Sequence, residues 1–184
     1  MAFVPWKEYV ETDTETYILA NSQTFYVGQA VGFAGSAGSA GYLSPCGPTS
    51  TSVYGVIVGF VQSPGGSSQQ NLTVQTLTTA SNNTTVDKYR ARVLPVMNGR
   101  LFVADLSSAA GTTTGSADPG YFALASGGTT LNESSYVVPT GTANHFFSLG
   151  AGGGVGNNAS VGLDGLTSSQ VLGFFVKGTP SFYH

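Results

Sequence analysis

Apolar residues in this chain never recur at i, i+3, i+4 and i+7 for more than a turn or two, and glycine or β-branched residues interrupt every window where a helix could start. What recurs instead is a series of short runs rich in β-branched and aromatic residues. They cover 17–20, 24–33, 53–61, 72–77, 89–97, 101–105, 121–125, 136–138, 145–149 and 171–177. Short runs separated by turn residues indicate a sandwich or a barrel. At most one short helix is expected, around 167–171. The segments 35–41, 63–70, 107–117 and 150–158 are too polar or too glycine-rich to bury a face and are expected to be loops. No repeat occurs at a period of roughly 20–50 residues, so solenoids and propellers are not supported. A length of 184 residues suits one domain. The expected fold is all-β: a single compact β-sandwich or β-barrel over 16–184, with glycine/serine-rich loops and an extended N-terminal arm over 1–15.

The surface of such a domain must be unusual, because only 15 residues are charged while glycine, serine and threonine supply 68. An ordinary domain is roughly 25% charged. The hydrophobic fraction of 41% and the 11% of aromatic residues mark a folding chain. A net charge of −3 supplies no basic face for phosphate, so no nucleic-acid partner is expected. The segment from Met1 to Glu8 lacks the basic start and apolar stretch of a secretory signal, and the longest apolar run, 53–61, is too short to span a bilayer. Synthesis in the cytosol and no membrane partner are the expectation. Few charges remain to keep exposed faces apart from other protein, which points to a component of an assembly.

Catalytic groups are equally sparse. No serine lies in a Gly-x-Ser-x-Gly elbow. His145 and His184 are the two histidines, and His145, beside Phe146 and Phe147, reads as a structural strand residue. Cys46, in Pro45-Cys46-Gly47-Pro48, has no disulfide partner and reads as an inert loop thiol. With these three residues out of motif spacing, no zinc site is expected. The glycine run 150–156 lacks the lysine and following helix of a phosphate cradle. Nothing singles out a catalytic pair among Asp87, Asp105, Asp118, Glu133 and Asp164. The expectation is a protein without enzymatic activity, cofactor or metal.

Charge concentrates in two places, and residues 16–86 carry none. In the arm, Glu11, Asp13 and Glu15 alternate with Thr12, Thr14 and Thr16, so an extended segment puts the carboxylates on one side. That stripe is a solvated edge that discourages wrong strand pairing, a contact for a partner's basic patch, or a calcium site, the last without the ligand order and glycine turn of an EF-type loop. Phe3, Trp6 and Tyr9 recur every three residues beside Pro5, as candidate anchors in a partner's pockets or as side chains docked on the protein's own core. On the anchor reading, removing residues 1–10 abolishes binding without unfolding the domain. The second zone is Lys88, Arg90, Arg92 and Arg100. Asn98-Gly99 fits a type I′ turn joining 89–97 to 101–105 in a hairpin, and Pro95 requires an edge position or a bulge. Arg90, Arg92 and Arg100 would gather on that hairpin, either solvated or pairing with a neighbouring subunit's carboxylates.

The order of several phrases carries a resemblance. Phe25-Tyr26-Val27-Gly28-Gln29-Ala30-Val31 is followed by a Gly/Ala/Ser linker and by Val53-Tyr54-Gly55-Val56-Ile57-Val58-Gly59-Phe60. Then come Tyr89-Arg90-Ala91-Arg92-Val93-Leu94-Pro95-Val96 and Leu101-Phe102-Val103-Ala104-Asp105. Over roughly 25–177, with Ala117-Asp118-Pro119-Gly120-Tyr121 and Val171-Leu172-Gly173-Phe174-Phe175 at the later segments, this resembles the capsid cement, or decoration, proteins of tailed bacteriophages. The resemblance implies a β-rich virion protein on the outside of the assembled capsid that holds neighbouring major capsid protein subunits together. It implies the major capsid protein as partner and self-association as a trimer or dimer. The rival expectation is a receptor- or glycan-binding surface domain using exposed Tyr and Asn side chains.

Overall fold

In the computed structural model, which describes residues 3–6, 13–34, 41–62, 70–85, 88–96, 100–108, 119–137, 145–151 and 166–176, every regular element of the described chain is a β-strand. The strands are β1 (Val4–Pro5), β2 (Glu15–Ile18), β3 (Thr24–Tyr26), β4 (Ala30–Phe33), β5 (Leu43–Pro45), β6 (Gly55–Gln62) and β7 (Gln70–Leu72). They continue with β8 (Thr76–Thr78), β9 (Arg90–Pro95), β10 (Phe102–Asp105), β11 (Gly120–Leu124), β12 (Leu131–Val137), β13 (Phe146–Ala151) and β14 (Gln170–Phe175). The all-β expectation holds. Where a short helix was expected, the Gln170 amide donates to the Thr167 carbonyl at 3.0 Å, and this turn leads straight into β14.

Strands β2-β9-β6-β4-β5 form one antiparallel sheet, with β7 beside β6. The sheet curls until its outer strands meet: Leu19, just past β2, forms a parallel bridge with Leu43 of β5, and the Ala20 amide donates to the Leu43 carbonyl at 2.8 Å. Leu19, Val31, Leu43, Ile57, Phe60, Ala91 and Val93 fill this barrel, and the β3–β8 pair adds Phe25 and Leu77. Alternation along strands buried on the barrel side sends one parity of residues inward. A second antiparallel sheet runs β10-β14-β13-β11-β12, with β1 added outside β10. It closes the same way, through a parallel bridge between Leu106 and Leu131 and a 2.8 Å bond from the Ser107 amide to the Leu131 carbonyl.

The two barrels are one topology built twice. Strand order matches position by position, and so does register: Glu15↔Val93 and Ile18↔Arg90 correspond to Phe102↔Gly173 and Asp105↔Gln170. The irregularity between Ile57 and Gly59 opposite β9 recurs between Ser148 and Gly150 opposite β14. Bonds outside the ladders repeat too. Tyr54 N–H to Val31 and Val96 N–H to Tyr54 have their counterparts in His145 N–H to Phe122 and Val176 N–H to His145. The compact all-β fold expected from the sequence is present, and it is built as two small barrels in tandem that share one apolar cluster.

The expected hairpin is replaced by this arrangement. β9 lies between β2 and β6 in the first barrel, whereas β10 pairs with β1 and β14 in the second. Both edges of β9 are occupied, so β10 has nowhere to join it. Asn98-Gly99 lies outside the described residues. Pro95 sits at the last position of β9, beyond the Glu15↔Val93 pair that ends β2, so its missing N–H faces no ladder partner there.

The barrels meet wall to end. Ala30, Val56 and Leu94 point outward from the first barrel, with Val58 and Val96 beside them, yet they form one apolar cluster with Phe102, Phe122, Phe146 and Phe175 inside the second. Around that contact the Ala30 amide donates to the Gly128 carbonyl at 2.8 Å and the Gln29 side-chain amide to the Gly127 carbonyl at 2.6 Å.

The duplicated interiors fill one pair of positions in opposite ways. In the first barrel Gly55 lies under Val93, and a Cβ on Gly55 would come within 2.3 Å of the Val93 Cγ1. In the second the corresponding residues are Phe146 and Gly173, and a Cβ on Gly173 would lie 2.5 Å from the Phe146 ring and 2.1 Å from the Phe147 carbonyl oxygen. Gly173→Val is therefore expected to destabilise by about 3 kcal/mol through overpacking. Combining it with Phe146→Gly relieves the ring contact but not the approach to the Phe147 carbonyl oxygen, so the double variant stays less stable than the unaltered chain, while its loss in urea unfolding should fall short of the sum of the single variants by about 1 kcal/mol or more. Simple additivity would contradict the correspondence.

Candidate interaction surfaces

Of the three aromatic residues in the arm, Phe3 is 1% exposed. Its ring lies 5.8 Å from Phe146 and 5.0 Å from Phe175, and its amide donates to the Gly28 carbonyl at 2.9 Å. It is a core residue wedged between the barrels and has no surface to offer a partner, which corrects the anchor expectation for Phe3. It also corrects the expectation for removal of residues 1–10, since that deletion takes out core and the strand β1. Trp6 follows β1, bonds its amide to the Leu101 carbonyl at 3.0 Å and leaves its side chain 38% exposed. Tyr9 lies outside the described residues.

The arginines do not gather on a hairpin. Arg90 and Arg92 sit on β9 opposite Ile18 and Thr16 of β2, and both are half-buried. Arg100, in the connection between the barrels, pairs with Asp13 at 3.5 Å. Among the described residues Asp13 pairs with Arg100, while Glu15 accepts from two tyrosines instead. Glu11 lies outside the described residues.

Glu15, Tyr17, Phe33 and Tyr54 close one end of the first barrel. Both phenol hydroxyls donate to the Glu15 Oε2, and the two hydroxyl oxygens are 2.8 Å apart. Phe33 packs on both rings, at centroid distances of 5.1 Å from Tyr17 and 4.6 Å from Tyr54. Burial first, and then the bond to Glu15, pushes both phenols above the ordinary tyrosine value of 10.0. Because the folded value is the higher one, the contribution to stability is whole below pH 10 and is lost as pH rises beyond it. Titration followed at 295 nm should therefore show two late-ionising phenols in the native protein, and Tyr54→Phe should remove one of them. A titration in which every tyrosine ionises near pH 10 without unfolding would contradict the cluster.

The sequence reading missed the outer wall of the second barrel. Tyr121, Phe147 and Phe174 occupy one cross-strand row, with ring centroids 4.9 Å and 5.5 Å apart, and all three are half-buried. Beside them stand Leu149, 41% exposed, and Val176, 38% exposed, with Val4 of β1 at 39%. The signal was present in the doublets Phe146-Phe147 and Phe174-Phe175. Successive strand residues face opposite sides, so adjacent phenylalanines mean that both faces of the strand are apolar.

Other chemistry-bearing residues have structural partners. His145 accepts from the Leu124 amide at Nδ1, at 3.4 Å, and its Nε2 lies 2.5 Å from the Ser50 carbonyl of the first barrel, which suits a neutral ring protonated at Nε2. Burial raises the Cys46 thiol to about 11, leaving it unreactive near neutrality. Asp105 accepts from the Gln170 side-chain amide at 3.0 Å. Among the described residues no three of His, Cys, Asp and Glu lie close enough together to hold a metal ion, and no helix is long and apolar enough to cross a membrane. A groove of about 610 Å³ opens between the β3–β8 pair and the turn at 126–130, lined by Tyr26, Gln75, Thr76, Thr129 and Thr130.

Comparison with protein-family models, with curated proteins and with solved structures finds no match.

Proposed function

We propose that this protein is a virion structural component that binds the outside of an assembled capsid and cements neighbouring major capsid protein subunits. The observation that carries the reading is the apolar wall of the second barrel, together with exposed Trp6 at its margin, on a chain that has few charges to keep such a wall from other protein. A row of large apolar side chains of this kind marks a protein contact. The order of the phrases between residues 25 and 177 supplies the resemblance to capsid cement proteins. A binder that bridges two or three shell subunits gains by effective concentration what each separate contact lacks. Trp6, next to the strand that fastens the arm, is the anchor offered to the major capsid protein, because aromatic side chains in pockets dominate contact energies.

A second reading, a glycan-binding surface domain, is favoured by the groove beside Tyr26, whose exposed ring stands among hydroxyl and amide groups. The two readings separate in one experiment. The capsid reading expects co-sedimentation with expanded shells, protection of those shells against heat, and at least tenfold weaker binding for Trp6→Ala at unchanged thermal stability. Polysaccharide binding without any shell binding would replace it with the glycan reading. Full shell occupancy by Trp6→Ala would remove the anchor.

A further inference from the structure

The contact between the two barrels appears in the structure once, although each chain holds the parts to make it twice. In the observed contact the outer wall of the first barrel, Ala30, Val56 and Leu94 with Val58 and Val96, covers the end of the second. That end comprises Phe102, Leu124, His145, Phe146 and Phe175, and all of them are buried. The repeat assigns the counterpart of every one of these positions.

On the second barrel the wall positions equivalent to Ala30, Val56 and Leu94 are Tyr121, Phe147 and Phe174, from the pairs Ala30↔Val56↔Leu94 and Tyr121↔Phe147↔Phe174. Val58 and Val96 correspond to Leu149 and Val176. In the first set Ala30, Val56 and Leu94 are fully buried and Val58 and Val96 half-buried, whereas in the second Tyr121, Phe147 and Phe174 are half-buried and Leu149 and Val176 exposed, and the second set is the larger and more aromatic of the two. On the first barrel the end positions equivalent to Phe102, Leu124, His145, Phe146 and Phe175 are Glu15, Phe33, Tyr54, Gly55 and Pro95. Gly55 is buried beneath the others, Glu15 is exposed, and Phe33, Tyr54 and Pro95 are half-buried. Among the described residues, each chain therefore carries one wall and one end that are not fully covered, of the same kinds that already fit together inside it.

We infer that copies of this chain associate head to tail, with the second-barrel wall of one copy seated on the first-barrel end of the next, repeating between chains the contact made within each. The inference rests on the reading of the wall as a protein contact and names a second copy as its occupant, which leaves exposed Trp6, at the margin of the wall, as the side chain offered to a capsid. In such a contact the Glu15 Oε2 already accepts from Tyr17 and Tyr54, and the docking end places Tyr17, Phe33 and Tyr54 beside it against the aromatic row. Wall and end are different surfaces, so the association closes into a ring where the rotation between copies permits and otherwise extends as an open chain.

The test uses the full chain and two variants. Phe147→Asp spoils the wall, with Leu149→Asp as a second wall variant that touches a more exposed position. Glu15→Lys spoils the end. Light scattering after size exclusion should give an oligomer for the unaltered chain and should fall to the 18.8 kDa of one chain for each variant alone. Leu149→Asp should unfold close to the unaltered chain, while Glu15→Lys also gives up the hydrogen bonds from Tyr17 and Tyr54 and Phe147→Asp its ring contacts, so both unfold earlier. Mixing a wall variant with the end variant should restore one good contact and yield a species of two chains. An unaltered chain that stays at one-chain mass at 100 µM, wall variants that both still oligomerise, or a mixture that yields no two-chain species would each overturn the inference. Shell binding is measured separately: oligomers that ignore capsids would leave this inference standing and remove the capsid reading, and monomers that bind capsids would do the reverse.

Discussion

The second barrel would be open at one end without the first. Phe102, Phe146 and Phe175 converge there, and the outer wall of the first barrel, with Phe3 threaded in between, covers them. Covering four aromatic side chains is worth roughly 1.5–3 kcal/mol each by the usual area scale, which is large against the 5–15 kcal/mol that holds an ordinary domain together. The polar contacts around the rim are arranged on the same junction: Gln29 and Ala30 bond to the turn at 127–128, and His145 to Ser50. The arm is fixed for the same reason. Phe3 must reach the junction, so β1 is laid along β10, and Trp6 is left at the surface where β1 ends.

How the duplication could hide in the sequence follows from its packing. Leu19 and Leu106, Leu43 and Leu131, and Gly59 and Gly150 are retained at equivalent places because they form the closures and the irregular step in the ladder. The interiors between them exchange large for small. Val93 over Gly55 becomes Gly173 under Phe146, and the bulk of Ile57 and Phe60 gives way to Ser148 and Ala151 while Phe102 and Phe175 take up the space. Total volume is what a core must keep, and many side-chain combinations keep it. Strand existence was therefore legible from short β-rich runs, but pairing was not. Asn98-Gly99 between two such runs satisfies a local hairpin rule equally well when the chain leaves one barrel for the next.

The candidate surfaces were legible in part. Composition carried the expectation of an assembly component, and the spacing in the arm singled out Trp6, whose side chain is exposed. Phe3 has the same spacing as Trp6 but the opposite fate, since only the three-dimensional position of the junction decides which aromatic is enclosed. Asp13 and Glu15 looked free because Arg100 and Tyr54 come from distant segments, and Tyr17, two residues on along the same strand as Glu15, is drawn to it together with Tyr54. The aromatic wall was the largest omission: Phe146-Phe147 and Phe174-Phe175 carried its signal, but only the observed strand neighbours align them into one row.

The account stands on the two barrels being one cooperative structure through the wall-to-end contact. Native-state hydrogen exchange on Leu94→Ala tests this directly, because Leu94 belongs to the first barrel by chain and to the second barrel's cover by packing. A buried Leu→Ala change costs about 2–5 kcal/mol. The account predicts that the slowest amides of β13 and β14 lose protection by the same factor as those of β6 and β9. Loss confined to β6, β9 and their immediate neighbours, with β13 and β14 unchanged, would contradict it.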